Sequence, residues 1–120
     1  RLTACGLAVV WLGGDEDRAL NAAHARRCGI DASGALSLVE LAELGRHAAF
    51  AVTNDSAPMH VLAASGIPVF GLFGPSDWRR THALGQAHNV IACAPGEHDL
   101  TTVSVEEVWS RLAAARLTAQ

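Results

Sequence analysis

The sequence predicts an α/β domain in which helices cover both faces of a parallel β-sheet, and three observations lead to this class. Apolar runs at residues 49–52 and 68–73 have the length of buried strands. A helix lies between them, because Pro58 suits a first helical turn and Gly66 is placed to end the helix in a left-handed conformation. A crossover of this length between two buried strands indicates that they are parallel.

The elements before this unit follow the same alternation. Residues 7–12 form an apolar run that predicts a strand, and a helix from Asp15 or Glu16 to about Cys28 follows, with Leu20 facing inward and Gly29 as its terminator. Residues 30–36 predict a short edge strand and turn. The spacing from Ser37 to Glu40 is that of a capping box, which begins a helix ending near Gly45 or His47.

The elements after it complete the pattern. Residues 76–82 form a basic loop; its arginines could contact a diphosphate or an acceptor, but charge without an aligned motif favours ordinary solvated side chains. Residues 89–93 predict a last short strand. A second capping box at Ser104 begins a helix through about Leu117, with Val105 facing inward and Arg116 near its end.

A polar cluster separates the first strand of the central unit from its helix. Asn54, Asp55 and Ser56 lie at the carboxyl end of a strand and the amino end of a helix. The first N–H groups of a helix are unpaired and carry about half a positive charge, so they can hold a phosphate without a lysine. Ligands of open parallel sheets generally bind at this edge. We therefore predict an anion-binding site here.

Two side chains of this segment need separate interpretation. A carboxylate would repel a phosphate placed too close, so we interpret Asp55 as a helix cap or as an acceptor for sugar hydroxyls. His60 follows Ser56 by four residues, and both can face one ligand. A serine hydrolase is disfavoured because a nucleophile elbow needs glycine on both sides of the serine.

The run Asn54-Asp55-Ser56-Ala57-Pro58-Met59-His60, followed by residues 63–68 and the turn Gly74-Pro75-Ser76, resembles the signature of glycosyltransferase family nine, the ADP-heptose:lipopolysaccharide heptosyltransferases. That signature has Asp, Ser or Thr, Gly, two variable residues and His, then a strand and a Gly-Pro-Thr or Gly-Pro-Ser turn. A weaker resemblance extends from about Val9 to about Ala113. It implies a Rossmann-like domain, the carboxyl-terminal half of a GT-B fold, which binds the nucleotide sugar.

The resemblance implies substrate-binding roles for six residues, namely Asp55, Ser56, Ala57 and His60 in the motif, Asp17 at the ribose and Leu36 against adenine. Glu16 is the alternative to Asp17. A helix-start carboxylate stabilised by the helix dipole is an equally weighted interpretation of either acid. For Leu36, core filling is the interpretation that the residues alone favour.

Ala57 departs from the family pattern, which most often has glycine at this position. The added methyl group would hinder close backbone approach or resist a positive φ. Either Ala57 is helical with Ser56 as the cap, or nucleotide affinity is reduced.

The resemblance also implies a reaction, the transfer of heptose from ADP-heptose to the lipopolysaccharide inner core. Residues 1–4 resemble the end of a helix that carries a phosphate-contacting residue in the family. We therefore expect residues 1–120 to be a single nucleotide-sugar-binding domain, a fragment of a two-domain enzyme. The lipopolysaccharide precursor and the catalytic base would belong to the missing amino-terminal domain, so no catalytic residue, metal or cofactor is expected here.

Composition disfavours several other classes. Half of the residues are hydrophobic, which argues against disorder, and a net charge of −3 with dispersed arginines gives no electrostatic footprint for nucleic acid. No apolar run approaches the ~20 residues that span a bilayer. Three cysteines in apolar contexts fit reduced thiols better than disulfides. We expect a cytoplasmic location, including a peripheral position at the inner face of the cytoplasmic membrane.

His24 and Cys28 lie four residues apart on one predicted helix. They could form a metal-binding pair, but no second pair supplies further ligands at a recognisable spacing, and we interpret both as packing residues. Two functions besides the heptosyltransferase domain remain open. One is a sugar-nucleotide-binding or epimerase-type GT-B relative, and the other is a degenerate domain kept for protein contacts.

Overall fold

The computed structural model describes residues 1–115 and residue 117. Within them, strands and helices alternate along the chain. The strands are β1 Val10–Trp11, β2 Ile30–Asp31, β3 Ala51–Asn54, β4 Val69–Phe73 and β5 Val90–Ala92. The α-helices are α1 Arg18–Ala25, α2 Leu38–His47, α3 Ala57–Ala64, α4 Trp78–Thr81 and α5 Val105–Ala114. None of the helices described is long and apolar enough to cross a membrane.

The described chain divides into two compact units, Arg1–Ser37 and Leu38–Leu117. The first contains a two-stranded parallel sheet in which Val10 pairs with Ile30. The second contains a three-stranded parallel sheet in the order β3-β4-β5. Both sheets are parallel, as the crossover length predicts, and helices connect their strands.

A buried amide organises the first unit. The side chain of Asn21 is only 7% exposed, and its Nδ2 donates hydrogen bonds to the carbonyl oxygen of Leu12 at 3.1 Å and to Ser33 Oγ at 2.8 Å. The prediction that Leu20 faces inward is wrong, since Leu20 is 60% exposed. The apolar pattern gave the wrong inward face for this helix, because the polar side chain of Asn21, with its hydrogen bonds satisfied, occupies the buried position.

The side chains of His24 and Trp11 pack against each other in the same unit. Their rings are stacked with centroids 4.6 Å apart, and Trp11 Nε1 donates a hydrogen bond to the carbonyl oxygen of Cys28 at 2.8 Å. The stacking supports the interpretation of His24 as a packing residue. Cys28 contributes its backbone carbonyl oxygen to this contact, so the packing role of its side chain stays a prediction.

Strand β4 is the centre of the second unit. Val69, Phe70 and Phe73 are buried on it, together with Met59 of α3 and Ile91 of β5. The strand matches the predicted residues 68–73 closely. Strand β3 begins two residues later than predicted and includes Asn54, so the polar turn that follows it consists of Asp55 and Ser56.

Helix α5 begins as predicted and packs through one side. The N–H of Glu107 donates to Ser104 Oγ at 3.0 Å, which is half of the predicted capping box, and Leu112 is buried. Val105 is 74% exposed, so the prediction that it faces inward is wrong. The side chains of the first turn of α5, Val105 among them, lie outside the buried face of the helix. Arg116 lies outside the described residues.

Candidate functional site

The junction of β3 and α3 forms the predicted strand–turn–helix. Ser56 occupies the N-cap position in an extended conformation, with φ −157° and ψ 167°, and Pro58 lies in the first turn. The hydroxyl of Ser56 makes no capping hydrogen bond, whereas its carbonyl oxygen accepts from the N–H of Met59 at 3.1 Å. The hydroxyl therefore makes no hydrogen bond to the first turn of the helix.

Ala57 is the first residue of α3 and is exposed to solvent. Its backbone is helical, so the methyl group meets none of the resistance that a left-handed conformation would impose. At the other end of the helix Gly66 has φ 91°, as its predicted role in ending the helix requires. Of the two alternatives for Ala57, a helical residue behind a Ser56 cap is the one observed.

Asp55 is exposed and does not cap the helix, since Ser56 holds that position. Its carboxylate lies 3.5 Å from the hydroxyl of Thr81, which also lies 3.2 Å from the carbonyl oxygen of Asp77. Helix α4 is thus placed directly beside Asp55. This neighbour was missed at the sequence level, because residues 76–82 were interpreted as a loop.

His60 lies one turn into α3, and its side chain is exposed. The junction therefore contains four of the predicted site residues, Asp55, Ser56, Ala57 and His60, within six consecutive positions of the second unit. Three of the four are open to solvent and Ser56 is half-buried. Such a surface is accessible to a ligand.

Asp17 and Leu36 belong to the first unit. One carboxylate oxygen of Asp17 accepts a hydrogen bond from the N–H of Gly14 at 3.1 Å, which fixes the 3-10 turn Asp15–Asp17 before α1. This contact matches the helix-start interpretation, and the ribose role stays a prediction. The alternative acid, Glu16, is exposed.

Leu36 is half-buried and lies in the connection between β2 and α2. It is absent from the fully buried core of the described residues, whose members include Leu41 and Leu62. Its predicted packing against adenine is not tested by this position and stays a prediction.

The carboxyl ends of β3, β4 and β5 lie at one edge of the second unit's sheet, because the three strands are parallel and Asn54 pairs with Leu72 and Phe73 with Ala92. Between the loops after β4 and β5 is a cleft of about 250 Å³, whose walls include Trp78, Arg79, Glu97 and His98. A neighbouring cavity of about 380 Å³ shares Cys93 and Glu97 with it. No predicted site residue lines either one.

The family described as Glycosyltransferase family 9 (heptosyltransferase) matches residues 1–109 of the chain. Among curated proteins, lipooligosaccharide heptosyltransferase 2 of Haemophilus influenzae is 31% identical over 84 residues, which are 70% of this chain and 24% of that protein.

A glycosyl transferase family 9 protein from Veillonella parvula superimposes with a TM-score of 0.77 and 25% identity, and an E. coli ADP-heptose lipopolysaccharide heptosyltransferase II with a TM-score of 0.78 and 24% identity. Each match covers 97% of this chain and 38% of the other. The predicted α/β fold of the GT-B type is thereby confirmed.

The family match and the two structural matches each cover most of the chain, and the curated relative covers 70% of it. The chain spans less than two-fifths of each solved structure and 24% of the Haemophilus influenzae protein, so it corresponds to a part of those proteins. Because the family match extends over residues 1–109, the chain belongs to glycosyltransferase family 9, the heptosyltransferase family.

Proposed function

We propose that this chain is the donor-binding domain of a glycosyltransferase that transfers heptose from ADP-heptose to the lipopolysaccharide inner core. The observation that supports this most is the β3–α3 junction, which carries the family motif on an accessible helix amino terminus. The hydroxyl of Ser56 is uncommitted there, and the first turn of α3 presents the positive end of the helix dipole. Both features suit a diphosphate.

Each site residue then has a role. Ser56 and the first amides of α3, beginning at Ala57, hold the diphosphate, and His60 orients it by a hydrogen bond. Asp55 accepts hydrogen bonds from hydroxyls of the donor sugar. In the first unit, Asp17 contacts the ribose and Leu36 packs on the adenine.

The reaction inverts the anomeric carbon of the donor sugar. A base on the amino-terminal domain takes the proton of an acceptor hydroxyl, the new glycosidic C–O bond forms, and the bond from the anomeric carbon to the β-phosphate oxygen breaks. Negative charge develops on the departing ADP. The amino terminus of α3 stabilises that charge, which is the contribution of this domain to catalysis.

The proposal extends to the protein's organisation. Residues 1–120 form one nucleotide-sugar-binding domain of a two-domain cytoplasmic enzyme, which works at the inner face of the cytoplasmic membrane where a lipid-linked acceptor is reached. The isolated chain binds nucleotide weakly and transfers no sugar, because the catalytic base and the main part of the acceptor site belong to the other domain.

Calorimetric titration of the full-length enzyme with ADP, UDP and ADP-heptose tests the proposal. We expect a preference for ADP over UDP, and we expect His60→Ala to weaken ADP binding about 10-fold, because one hydrogen bond to a charged group is lost. Asp55→Ala should weaken binding of ADP-heptose more than binding of ADP. His47→Ala is the matched control, since His47 is exposed on α2, where its ring nitrogen lies 3.2 Å from Glu43.

Other results identify the alternative functions. A preference for UDP would point to the sugar-nucleotide-binding or epimerase-type relative. Absence of any nucleotide binding by a folded full-length protein would point to a degenerate interaction domain.

A further inference from the structure

We infer that the cleft between the loops after β4 and β5 binds a neutral sugar residue of the acceptor, beside the donor site. The inference rests on the proposed function, since it assumes that a donor sugar lies at Asp55. It assigns part of acceptor recognition to this domain, in addition to the contribution of the amino-terminal domain.

The position of the cleft supports this assignment. Neighbouring strands of a sheet lie about 4.8 Å apart, so the ends of β4 and β5 are about 5 and 10 Å from the end of β3. That is the scale of one or two sugar rings. The hydroxyl of Thr81, 3.5 Å from the carboxylate of Asp55, also joins α4 directly to the donor side.

The reaction requires two sugars to be neighbours. An attacking hydroxyl must come within about 3–3.5 Å of the anomeric carbon, so the acceptor ring lies directly beyond the donor ring. The donor ring is attached to the diphosphate at α3, where Asp55 is available to its hydroxyls. The cleft beside Trp78 and Arg79 is a recess at the same edge of the sheet.

The cleft offers the groups that a sugar ring needs. Trp78 is half-buried and supplies an apolar surface, and the guanidinium carbon of Arg79 lies 4.8 Å from the centroid of its ring, within the range of a cation–π contact. The side chains of Arg79 and Ser76 can donate hydrogen bonds to a ligand, whereas the carboxylate of Glu97 can accept them. Sugar hydroxyls both donate and accept, so they match this mixture.

The charge of the cleft argues for a neutral ligand. Two carboxylates, Asp77 and Glu97, line it against the guanidinium of Arg79 and the imidazole of His98, and the neighbouring cavity adds Glu107. A phosphate or carboxylate group would meet this negative excess at close range and be repelled. A ring that carries only hydroxyl groups avoids this repulsion.

The walls of the cleft are held in place by local contacts. The N–H of Arg79 donates to the carboxylate of Asp77 at 3.1 Å, which caps α4. On the opposite loop, the thiol of Cys93 donates to the carbonyl oxygen of Asp99 at 3.1 Å. A Cβ atom on Gly74 would lie 3.2 Å from the backbone nitrogen of Leu100, so the two loops approach closely at the base. A site of this kind needs little ordering when a ligand binds.

The test uses the full-length enzyme, ADP-heptose as the donor and, as the acceptor, a lipopolysaccharide core oligosaccharide whose terminal sugar is neutral. We expect Glu97→Gln and Arg79→Gln each to raise KM for the acceptor about 10-fold, because each loses a hydrogen bond between a charged group and a hydroxyl. The dissociation constants of ADP and ADP-heptose should stay within about 2-fold of those of the unaltered enzyme, because neither ligand contacts the cleft residues.

Arg80→Gln is the matched control, because Arg80 is exposed on the same helix and does not line the cleft. An equal rise in acceptor KM with Arg80→Gln would overturn the inference, since it would indicate a general charge effect. Weaker binding of ADP-heptose by Glu97→Gln would also overturn it, because the cleft would then hold the donor sugar. An unchanged acceptor KM in both cleft variants would do the same.

Failure of the inference can be told apart from failure of the proposed function. If the unaltered enzyme binds no ADP or transfers no heptose, the proposed function fails before any cleft variant is measured. If it binds ADP and transfers heptose while the cleft variants behave like it, only the acceptor site is wrong.

Discussion

At the start of β4, the side-chain amide of Gln86 makes the backbone hydrogen bonds that a neighbouring strand would otherwise make. Its Nε2 donates to the carbonyl oxygen of Ile67 at 2.9 Å, and its Oε1 accepts from the N–H of Val69 at 2.7 Å and from Asn89 Nδ2 at 3.0 Å. Ile67 and Val69 are buried, so their backbone groups cannot turn to water. One side chain therefore satisfies both backbone groups at the entry to the central strand.

Replacing Gln86 by methionine should destabilise the protein by about 2–4 kcal/mol, since two buried backbone groups lose their partners at about 1–3 kcal/mol each. Methionine has a similar length, so the change removes hydrogen bonds while keeping most of the packing. Urea unfolding followed by circular dichroism gives the free energy of unfolding. A loss below about 0.5 kcal/mol, typical of surface substitutions, would show that water replaces the amide.

At the scale of elements, α2 and α3 approach each other closely at one glycine. Gly45 of α2 is buried, and a Cβ atom added there would collide with Ser65 Oγ and lie 3.1 Å from Leu62 Cδ2. Ser65 Oγ is itself held by the carbonyl oxygen of Leu62 at 2.5 Å. The absence of a side chain at Gly45 thus sets the distance between the two helices.

We expect Gly45→Ala to destabilise the protein by about 1–3 kcal/mol, the usual cost of overpacking, although alanine favours a helix by up to about 1 kcal/mol. Ser65→Ala removes the colliding hydroxyl, so the double variant should recover part of the loss. A double-mutant cycle from urea unfolding measures this coupling. Additive effects of the two substitutions would contradict a direct contact between the helices at this point.

The sequence predicted the central elements well and the peripheral ones poorly. Strand β4 and helix α3 were found because a continuous apolar run, Pro58 and Gly66 all indicate the same unit. Strand β1 has two residues where six were predicted, and α4 was interpreted as loop. Four-residue helices leave no periodic pattern, and only the capping acid Asp77 signals this one.

At the scale of the whole molecule, proximity between distant segments was the information missing from the sequence. The motif around Ser56 is continuous, so its placement at a strand end could be predicted. The cleft joins residues 74–79 to residues 92–98, and no local pattern indicates that these loops meet. Gly74 is an example. Its close approach to Leu100 explains why the Gly-Pro-Ser turn has glycine, but the sequence does not indicate that Leu100 is the neighbour.

In each unit an aspartate side chain accepts a hydrogen bond from the backbone N–H two residues later. Asp31 accepts hydrogen bonds from the side chain and then the backbone of Ser33, which lower the pKa of its carboxyl group. Asp99 has the same relation to Thr101, and its pKa is also lowered. In the first unit Ser33 Oγ in turn accepts from the buried Asn21, so the ionised Asp31 supports the hydrogen-bond network of that unit.

These lowered pKa values predict that acid destabilises the protein. The unfolded chain takes up protons on the two carboxylates first, near the ordinary value of 3.8, because the folded-state pKa of each lies below it. Their contribution is complete above that range and is lost as the pH falls through and below 3.8. Urea unfolding between about pH 6 and pH 3 measures the slope, and we expect Asp31→Asn with Asp99→Asn to flatten it, since asparagine does not titrate. Equal slopes for the double variant and the unaltered protein would mean that other groups govern the response to acid.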